Sequence, residues 1–414
     1  MRQVVVITSE IYPYHSTGGL GIAVARLVEQ LITLGVNVVV ITPRGTNIPP
    51  PALHNKFEFY ELTTPLCEIE QNADDRFEWN NAFAQEAFAF VNKIEQNSLI
   101  IFHDNETACG VSIFKRNGIK SPILFWLHSL YDYPCKYDKS LLGTAIEQAD
   151  LVAVSAGVME DAKELEWPKR LSQVKESLLL KNTAAKLLFP TSLGCIKYEK
   201  QLDSKFPYQK VKQLSKTVLF VGRASFTKGL GFLEMISNIL SKKGWRLKIT
   251  GTPSSTVSVN SNIDWLGWLN TRRLCEEYKN ASLIVAPSLT EGFGLGIAEA
   301  ISQNCIVLSF PVGGIRDLKN EPNLIPVNLT KSEREMLYWL WAEMLDSLPE
   351  ANLIWEKYKE KLFTIQNKLC NQLLEIIDNL ENKAPVNIYQ PKVYKKVNSW
   401  GKEVFNLLEF IDNQ

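Results

Sequence analysis

Val4-Val5-Val6-Ile7-Thr8 runs through Ser9 to His15 into Ser16-Thr17-Gly18-Gly19-Leu20-Gly21 and then a helical pattern reaching Arg26. It reads as a short β-branched strand, a glycine-bearing loop and a helix. The same order returns from Val218 to Leu240. A short apolar run bounded by turn residues fits a strand covered on both faces. A helix after it is what a parallel sheet needs to bring the chain back for the next strand.

Similar apolar runs followed by helical stretches recur along the chain, which sets the fold class as α/β. In the first half the predicted strands are Val4–Thr8, Asn37–Thr42, Leu99–His103, Ile123–His128, Asp150–Ser155 and Leu187–Thr191. In the second they are Thr217–Gly222, Arg246–Thr250, Ile263–Leu266, Ser282–Ala286, Cys305–Ser309 and Asn323–Val327. So many strands exceed what one open parallel sheet usually holds. The stretch from Ile196 to Ser215 is polar, lysine-rich and poor in periodicity, as a linker is. The chain is therefore cut near residue 200 into two Rossmann-like lobes. Lys331 to Glu381 reads as two or three packing helices, and Val393 to Ile411 as a last amphipathic helix.

The length of 414 residues agrees with about two domains. With 45% hydrophobic and 22% charged residues, the chain can build sizeable cores. Forty-five basic and forty-five acidic residues cancel, so no global field draws nucleic acid or an anionic membrane, and any polyanion site must be local. The seven cysteines are scattered without a CxxC pair, which points to reduced thiols rather than a zinc knuckle or disulfide frame. The apolar run Val4 to Ile7 is too short for a signal peptide, and nothing approaches the roughly 18 apolar residues of a membrane span. A cytoplasmic protein is expected. The basic stretch Lys163 to Lys186 allows a peripheral membrane contact, although a solvated helix face accounts for it as well.

The residues with chemistry gather at predicted strand ends, where open α/β sheets bind ligands. All four histidines, His15, His54, His103 and His128, lie in the first 128 residues. His103 and His128 end consecutive strands and are expected to point into one crevice. The Ser16–Gly21 loop offers bare amides at a helix start, although a tight turn explains it too. Gly222-Arg223 at a strand end and Lys228-Gly229 at the next helix place a planar cation and a point cation together, suited to a diphosphate.

Pro287-Ser288-Leu289-Thr290-Glu291-Gly292-Phe293-Gly294-Leu295-Gly296-Ile297-Ala298-Glu299-Ala300 is the most informative segment. Its glycines each cost a helix about 1 kcal/mol, so Glu291 to Leu295 is predicted as a loop. Two glutamates eight apart would be about 80° out of phase on one helix. Acting on one ligand, they put Glu291 in the loop and Glu299 on the helix. Bare amides flanked by carboxylates suit a ligand that is both phosphorylated and polyhydroxylated. The chain has no D-x-D, P-loop or G-x-S-x-G pattern, which removes the main support for ATPase and serine-hydrolase readings.

Taken together, these motifs resemble the retaining glycosyltransferases of the GT-B fold, specifically the family 4 type. The resemblance rests on the E-x7-E signature Glu291 to Glu299, Gly222-Arg223 with Lys228-Gly229, Leu266-Gly267-Trp268 and Gly313-Gly314. Thr17-Gly18-Gly19 and His103-Asp104 are similar to the glycogen synthase end of the relationship. It implies two facing Rossmann-like domains with an interdomain cleft. Residues 1–200, completed by a helix at 393–414, would form the acceptor side, and 201–392 the nucleotide-sugar donor side.

Residue by residue, the resemblance implies that Arg223 and Lys228 hold the donor diphosphate and that Glu299 holds the ribose. Glu291 and the Gly292, Phe293, Gly294 and Leu295 backbone would hold the donor hexose. Backbone at Trp268 and Leu269 would read the base, Gly18 and Gly19 would close on the phosphates, and His128 with His103 would touch the transferred sugar. The implied donor is UDP-glucose or a close UDP-hexose, a substrate rather than a cofactor, with no metal and no nucleic acid partner. The implied acceptor is a glycan or lipid-linked glycan in polysaccharide or glycoconjugate synthesis. A nucleotide-sugar 2-epimerase of the same architecture and a non-catalytic sugar-nucleotide-binding subunit remain as alternatives.

Overall fold

The structure is a computed structural model that describes residues 3–12, 14, 19–45, 57–66, 73–92, 98–130, 141–165, 214–251, 261–303, 305–382 and 408. It divides into two compact units, Met1–Leu193 with Lys396–Gln414, and Gly194–Lys395. Several expectations fall outside the described residues: the strand Leu187–Thr191, the cut near residue 200, and the final helix apart from Leu408. Most of the Lys163–Lys186 stretch does so as well.

In the first unit the strands are β1 (Gln3–Ile7), β2 (Asn37–Arg44), β3 (Phe57–Pro65), β4 (Ser98–His103), β5 (Ile123–Leu127) and β6 (Leu151–Val154). They form one sheet in the order β3-β2-β1-β4-β5-β6, and every pairing is parallel. Among the described helices are α1 (Gly19–Thr33), α2 (Ala73–Val91), α3 (Ala108–Arg116), α4 (Leu141–Gln148) and α5 (Ala156–Glu164). The central strands carry no polar alternation because helices cover both faces: Val4 to Ile7 and Ile101 and Phe102 are fully buried.

Strand β3 was not expected from the sequence. It is an edge strand in which only Leu62 is buried, and its glutamates Glu58 and Glu61 break up the apolar run. A carboxylate on α2 holds it. Glu86 accepts the N–H and hydroxyl of Thr63 at 2.6 and 2.7 Å on one oxygen and those of Thr64 at 2.9 and 2.6 Å on the other. Burial opposes the charge on Glu86, but these hydrogen bonds outweigh it and hold the carboxyl below its ordinary value.

The second unit repeats the plan with β7 (Thr217–Phe220), β8 (Arg246–Thr250), β9 (Ile263–Gly267), β10 (Leu283–Ala286), β11 (Val307–Ser309) and β12 (Leu324–Pro326). Their order is β12-β11-β10-β7-β8-β9, again parallel throughout. Its described helices are α6 (Leu230–Lys242), α7 (Thr271–Asn280), α8 (Leu295–Ser302), α9 (Lys331–Asp346), α10 (Ala351–Tyr358) and α11 (Phe363–Asn382). The last three are the helices expected between Lys331 and Glu381. Helix α9 starts with a capping box in which Thr330 and Glu333 satisfy each other's backbone N–H groups.

In each sheet the chain starts in the middle and reverses direction between the first and fourth strands, β1 and β4 in one unit, β7 and β10 in the other. That reversal splays two loops apart at the carboxyl edge, the usual ligand position in such sheets. Among the described residues no helix is long and apolar enough to cross a membrane.

Candidate functional site

In the second unit, three loops leaving the carboxyl edge pack on one another. After β7 the chain passes Gly222 and Arg223, makes a tight turn at Phe226–Lys228 and enters α6 through Gly229. Gly229 has a φ of 83°, and a Cβ there would stand 2.1 Å from the Pro287 carbonyl oxygen, so a side chain would push the β7 and β10 loops apart. Leu289 N–H also donates to Thr227 O at 3.1 Å. The contact brings Lys228 Nζ to 2.7 Å from Glu291 Oε1, and Ser288 Oγ donates to that oxygen at 2.8 Å.

The third loop follows β11 and clasps the second. Gly314 N–H donates to the Glu291 carbonyl at 3.0 Å. At Gly313 the φ is 50° and a Cβ would sit 1.8 Å from that same oxygen. Glycines at both positions let the β11 loop lie directly on the Glu291–Phe293 backbone. The strand of loop expected from Glu291 to Leu295 ends one residue earlier. Gly294 takes a left-handed φ of 80° as the N-cap, and Leu295 already belongs to α8. Phe293 is buried beneath the loop.

Glu299 lies on α8, as the spacing argument required, away from the loop that carries Glu291. Its Oε2 is 3.2 Å from the hydroxyl of Tyr278, a buried residue of α7 that also reaches Gly296 O at 3.0 Å. Arg223 is exposed, on the same connection as Lys228, and among the described residues it forms no salt bridge. Trp268 and Leu269 follow β9 at the same sheet edge, with the Trp268 side chain 74% exposed. The geometry thus brings Lys228, Ser288, Glu291 and Gly292–Gly294 together, and places Arg223 on the β7 connection, Glu299 on α8, and Trp268 and Leu269 after β9.

In the first unit, His103 ends β4 and His128 follows β5, and the two meet: His103 Nδ1 lies 3.1 Å from His128 Nε2. Trp126 lies nearly parallel to both rings, at 17° to His103 and 1° to His128. The side chain of His103 is sealed, at 1% exposure, whereas His128 is partly buried. Of the two residues, His128 is the more accessible to a ligand. Burial lowers His128 to about 4, and burial followed by the neighbouring His128 takes His103 well below its ordinary value.

Next to this pair, Asp104 has φ 58° and ψ −171°, a conformation side chains seldom adopt. It is held there because its N–H donates to Trp126 O at 2.8 Å, while Oδ1 accepts the N–H groups of His128 and Ser129, each at 3.1 Å. Burial raises its carboxyl to about 6 in spite of these bonds. Burial, and then the nearby Asp104, raise Glu106 to about 8, and Glu106 Oε2 is buried without a hydrogen-bond partner.

Gly18 lies outside the described residues, as do Ser16, Thr17 and His15. The loop expected through Gly21 is shorter than expected, because α1 starts at Gly19. Gly21 is buried and its carbonyl accepts Tyr12 N–H at 3.0 Å. Sequence reasoning assigned no role to Ser288, Tyr278, Asp104 or Glu106. Asp104 was singled out only with His103, as a motif at a strand end. Tyr278 gave no signal, because its partner is on another helix. Among the described residues no group of three or more His, Cys, Asp or Glu side chains is arranged to hold a metal ion.

Two units of this strand order, each with polar residues at its reversal point, define the architecture as GT-B, a pair of Rossmann-like domains, and both halves carry glycosyltransferase-type sequence. Residues 215–335 match the family described as "Glycosyl transferases group 1", and residues 3–181 match "Starch synthase catalytic domain". The chain is 31% identical over 124 residues to an uncharacterized glycosyltransferase of Methanocaldococcus jannaschii, a match covering 27% of this chain and about a third (32%) of that protein. It is 23% identical over 335 residues to a putative teichuronic acid biosynthesis glycosyltransferase of Bacillus subtilis, covering 75% of this chain and 82% of the relative.

Solved structures of similar fold include sucrose-phosphate synthase from Thermosynechococcus elongatus, with TM-score 0.55, 18% identity, and coverage of 92% and 99% of the two chains. The catalytic domain of starch synthase IV from Arabidopsis thaliana, bound to ADP and acarbose, gives 0.53 at 14% identity, covering 89% and 99%. At this identity the likeness is one of fold.

Proposed function

We propose that the chain is a retaining hexosyltransferase that moves glucose or a similar hexose from a UDP-sugar to a glycan or lipid-linked glycan acceptor. The observation that carries this reading is the clasped β10 loop, where the Glu291 carboxylate and the Gly292–Gly294 backbone lie next to Lys228 at the reversal point of the second sheet. A support for the hexose class is that an E. coli trehalose-6-phosphate structure bound with UDP-2-fluoro glucose shares the fold, with TM-score 0.51 at 13% identity, covering 93% of this chain and 100% of that one.

On this reading Lys228 and Arg223 stabilise the diphosphate as the C1–O bond breaks. Positive charge then builds on the sugar ring while negative charge collects on the departing phosphate, and preorganised cations lower the barrier by matching that separation. Glu291 is held through Oε1 by Lys228 and Ser288, so its other oxygen is the one to accept hexose hydroxyls. Glu299, on the rigid helix α8, accepts the ribose hydroxyl pair. The backbone around Trp268 and Leu269 reads the base, and His128 binds a sugar. With cations supplied by the protein, the reaction needs no divalent metal. The described cysteines Cys109, Cys275, Cys305 and Cys370 are all buried thiols, which supports placing the reaction in the cytoplasm.

The test is incubation with a panel of nucleotide sugars, without and with glycan acceptors, followed by NMR of the released or transferred sugar. UDP-glucose should be consumed with retention of the anomeric configuration. Inversion at C1, or consumption of none of the panel, contradicts the reading. An epimer at C2 formed without acceptor would assign the epimerase activity instead.

A further inference from the structure

We propose that His103 is a positioning residue that sets the tautomer of His128, so that His128 offers an Nδ1–H donor to a sugar oxygen. His128 meets His103 through Nε2, at 3.1 Å, which leaves Nδ1 as the nitrogen of His128 that is available to a ligand. His128 is clamped twice by consecutive residues: His103 takes the ring, and Asp104 Oδ1 takes the backbone N–H at 3.1 Å.

Proton counting then decides which ring donates. Burial keeps both imidazoles neutral, so each carries one N–H, and one of these must lie in the shared bond. If His128 donated from Nε2, the single proton of His103 would be on its own Nε2, which is buried without a hydrogen-bond partner. A buried donor with nothing to bind is the rarer and costlier kind of orphan, whereas a buried lone pair is better tolerated. His103 therefore donates from Nδ1, its Nε2 keeps the lone pair, and His128 carries its hydrogen on Nδ1. Stacking on Trp126, with ring centroids 5.6 Å apart, stops His103 from flipping to exchange its nitrogens. The inference rests on the proposed sugar-binding role of His128 for its consequence, but not for the tautomer.

The chain has only four histidines, so ¹⁵N-histidine labelling of the full-length protein gives a resolvable spectrum. Two-bond ¹H–¹⁵N correlation should show His128 protonated at Nδ1 and unprotonated at Nε2 at pH 7. His103→Phe keeps a ring against Trp126 but removes the donor, and His128 should then shift to the Nε2–H form that free histidine prefers. In His103→Asn the amide nitrogen stands close to the position of Nδ1 and can donate, so the Nδ1–H form should return. UDP-hexose turnover should fall about tenfold in His103→Phe, about one hydrogen bond's worth, and recover in His103→Asn. An Nε2–H tautomer in the wild type, or a tautomer indifferent to His103→Phe, overturns the proposal. If the tautomers shift as expected and no nucleotide sugar is turned over, the tautomer assignment stands and the sugar-binding reading fails.

Discussion

At the carboxyl edge of the second sheet, Lys228 and Glu291 keep 24% and 16% of their side chains exposed and pair at 2.7 Å. At the same edge of the first sheet, His103 and Asp104 are 1% and 9% exposed, and burial works against every charge they could carry. The two sheets share one strand order, so the fold does not account for this difference. The loops do. Glycines in the second unit let backbones touch and hold full charges in partly solvated positions. In the first, large rings and a strained Asp104 close over the polar groups and favour their neutral forms. One edge is suited to stabilising a separated charge, the other to hydrogen-bonding an uncharged ligand such as a sugar.

The contrast is broken most directly by removing charge from the second edge. Lys228→Ala and Arg223→Ala should each lower kcat/KM for a UDP-hexose by roughly 10²-fold or more, as loss of an oxyanion-type donor does. Arg223 is exposed, so its variant should melt at nearly the wild-type temperature. Steady-state kinetics beside thermal melts check both, and near-normal turnover in the two variants would remove the diphosphate assignment.

A smaller effect separates the two glutamates. Glu299→Ala should raise the donor KM about tenfold with kcat little changed, since ribose binding is shared by ground and transition states. Glu291→Ala should act mainly on kcat. Similar kinetic signatures in the two variants would contradict the division between loop and helix.

The first edge should show itself in stability. The carboxyls of Asp104 and Glu106 rise from 3.8 and 4.5 to about 6 and about 8, so the folded state binds more protons than the unfolded one in that window. Their stabilisation is complete below about 4 and is lost as pH climbs through those values. His128 acts oppositely: depressed from 6.5 to about 4, it favours folding above 6.5 and loses that contribution as pH falls toward 4. Between pH 6.5 and 8 these two carboxyls act to lower stability as pH rises. Glu106→Gln imitates the protonated acid beside Asp104, Glu10 and Arg76, so it should raise Tm at pH 8 by a few degrees and lose that advantage near pH 5. Melts of both proteins across pH measure this, and a wild-type advantage at pH 8 would mean that Glu106 is held ionised.

The smallest expected change is with chelation. Excess EDTA at fixed ionic strength should alter turnover by less than about threefold, under roughly 1 kcal/mol of barrier, if Lys228 and Arg223 neutralise the diphosphate. A collapse restored only by magnesium or manganese would assign that task to a metal.

Most of the fold was legible because buried parallel strands have a distinctive apolar signature, as at Val4–Ile7 and Leu283–Ala286. Strand β3 was missed because an edge strand needs no such run, and its Glu58 and Glu61 face solvent. Placing Glu291 in a loop and Glu299 on a helix needed only the cost of glycine and the helical period. What sequence could not give were contacts between distant segments: Lys228 with Glu291, Gly313 against the Glu291 carbonyl, Tyr278 with Glu299 and His103 with His128. His103 illustrates the gap. Its position at a strand end marked it as functional, while its burial and its ring contacts with Trp126 and His128 left no mark in the sequence.

Calorimetric titration of UDP-glucose into the full-length protein and its Lys228→Ala variant, in the presence of EDTA, tests the donor site most directly. Saturable binding at one site, weakened at least about tenfold by Lys228→Ala, is the expected result. Absence of saturable binding, or equal affinity in the two proteins, would contradict the assignment of the clasped β10 loop and Lys228 to a nucleotide sugar.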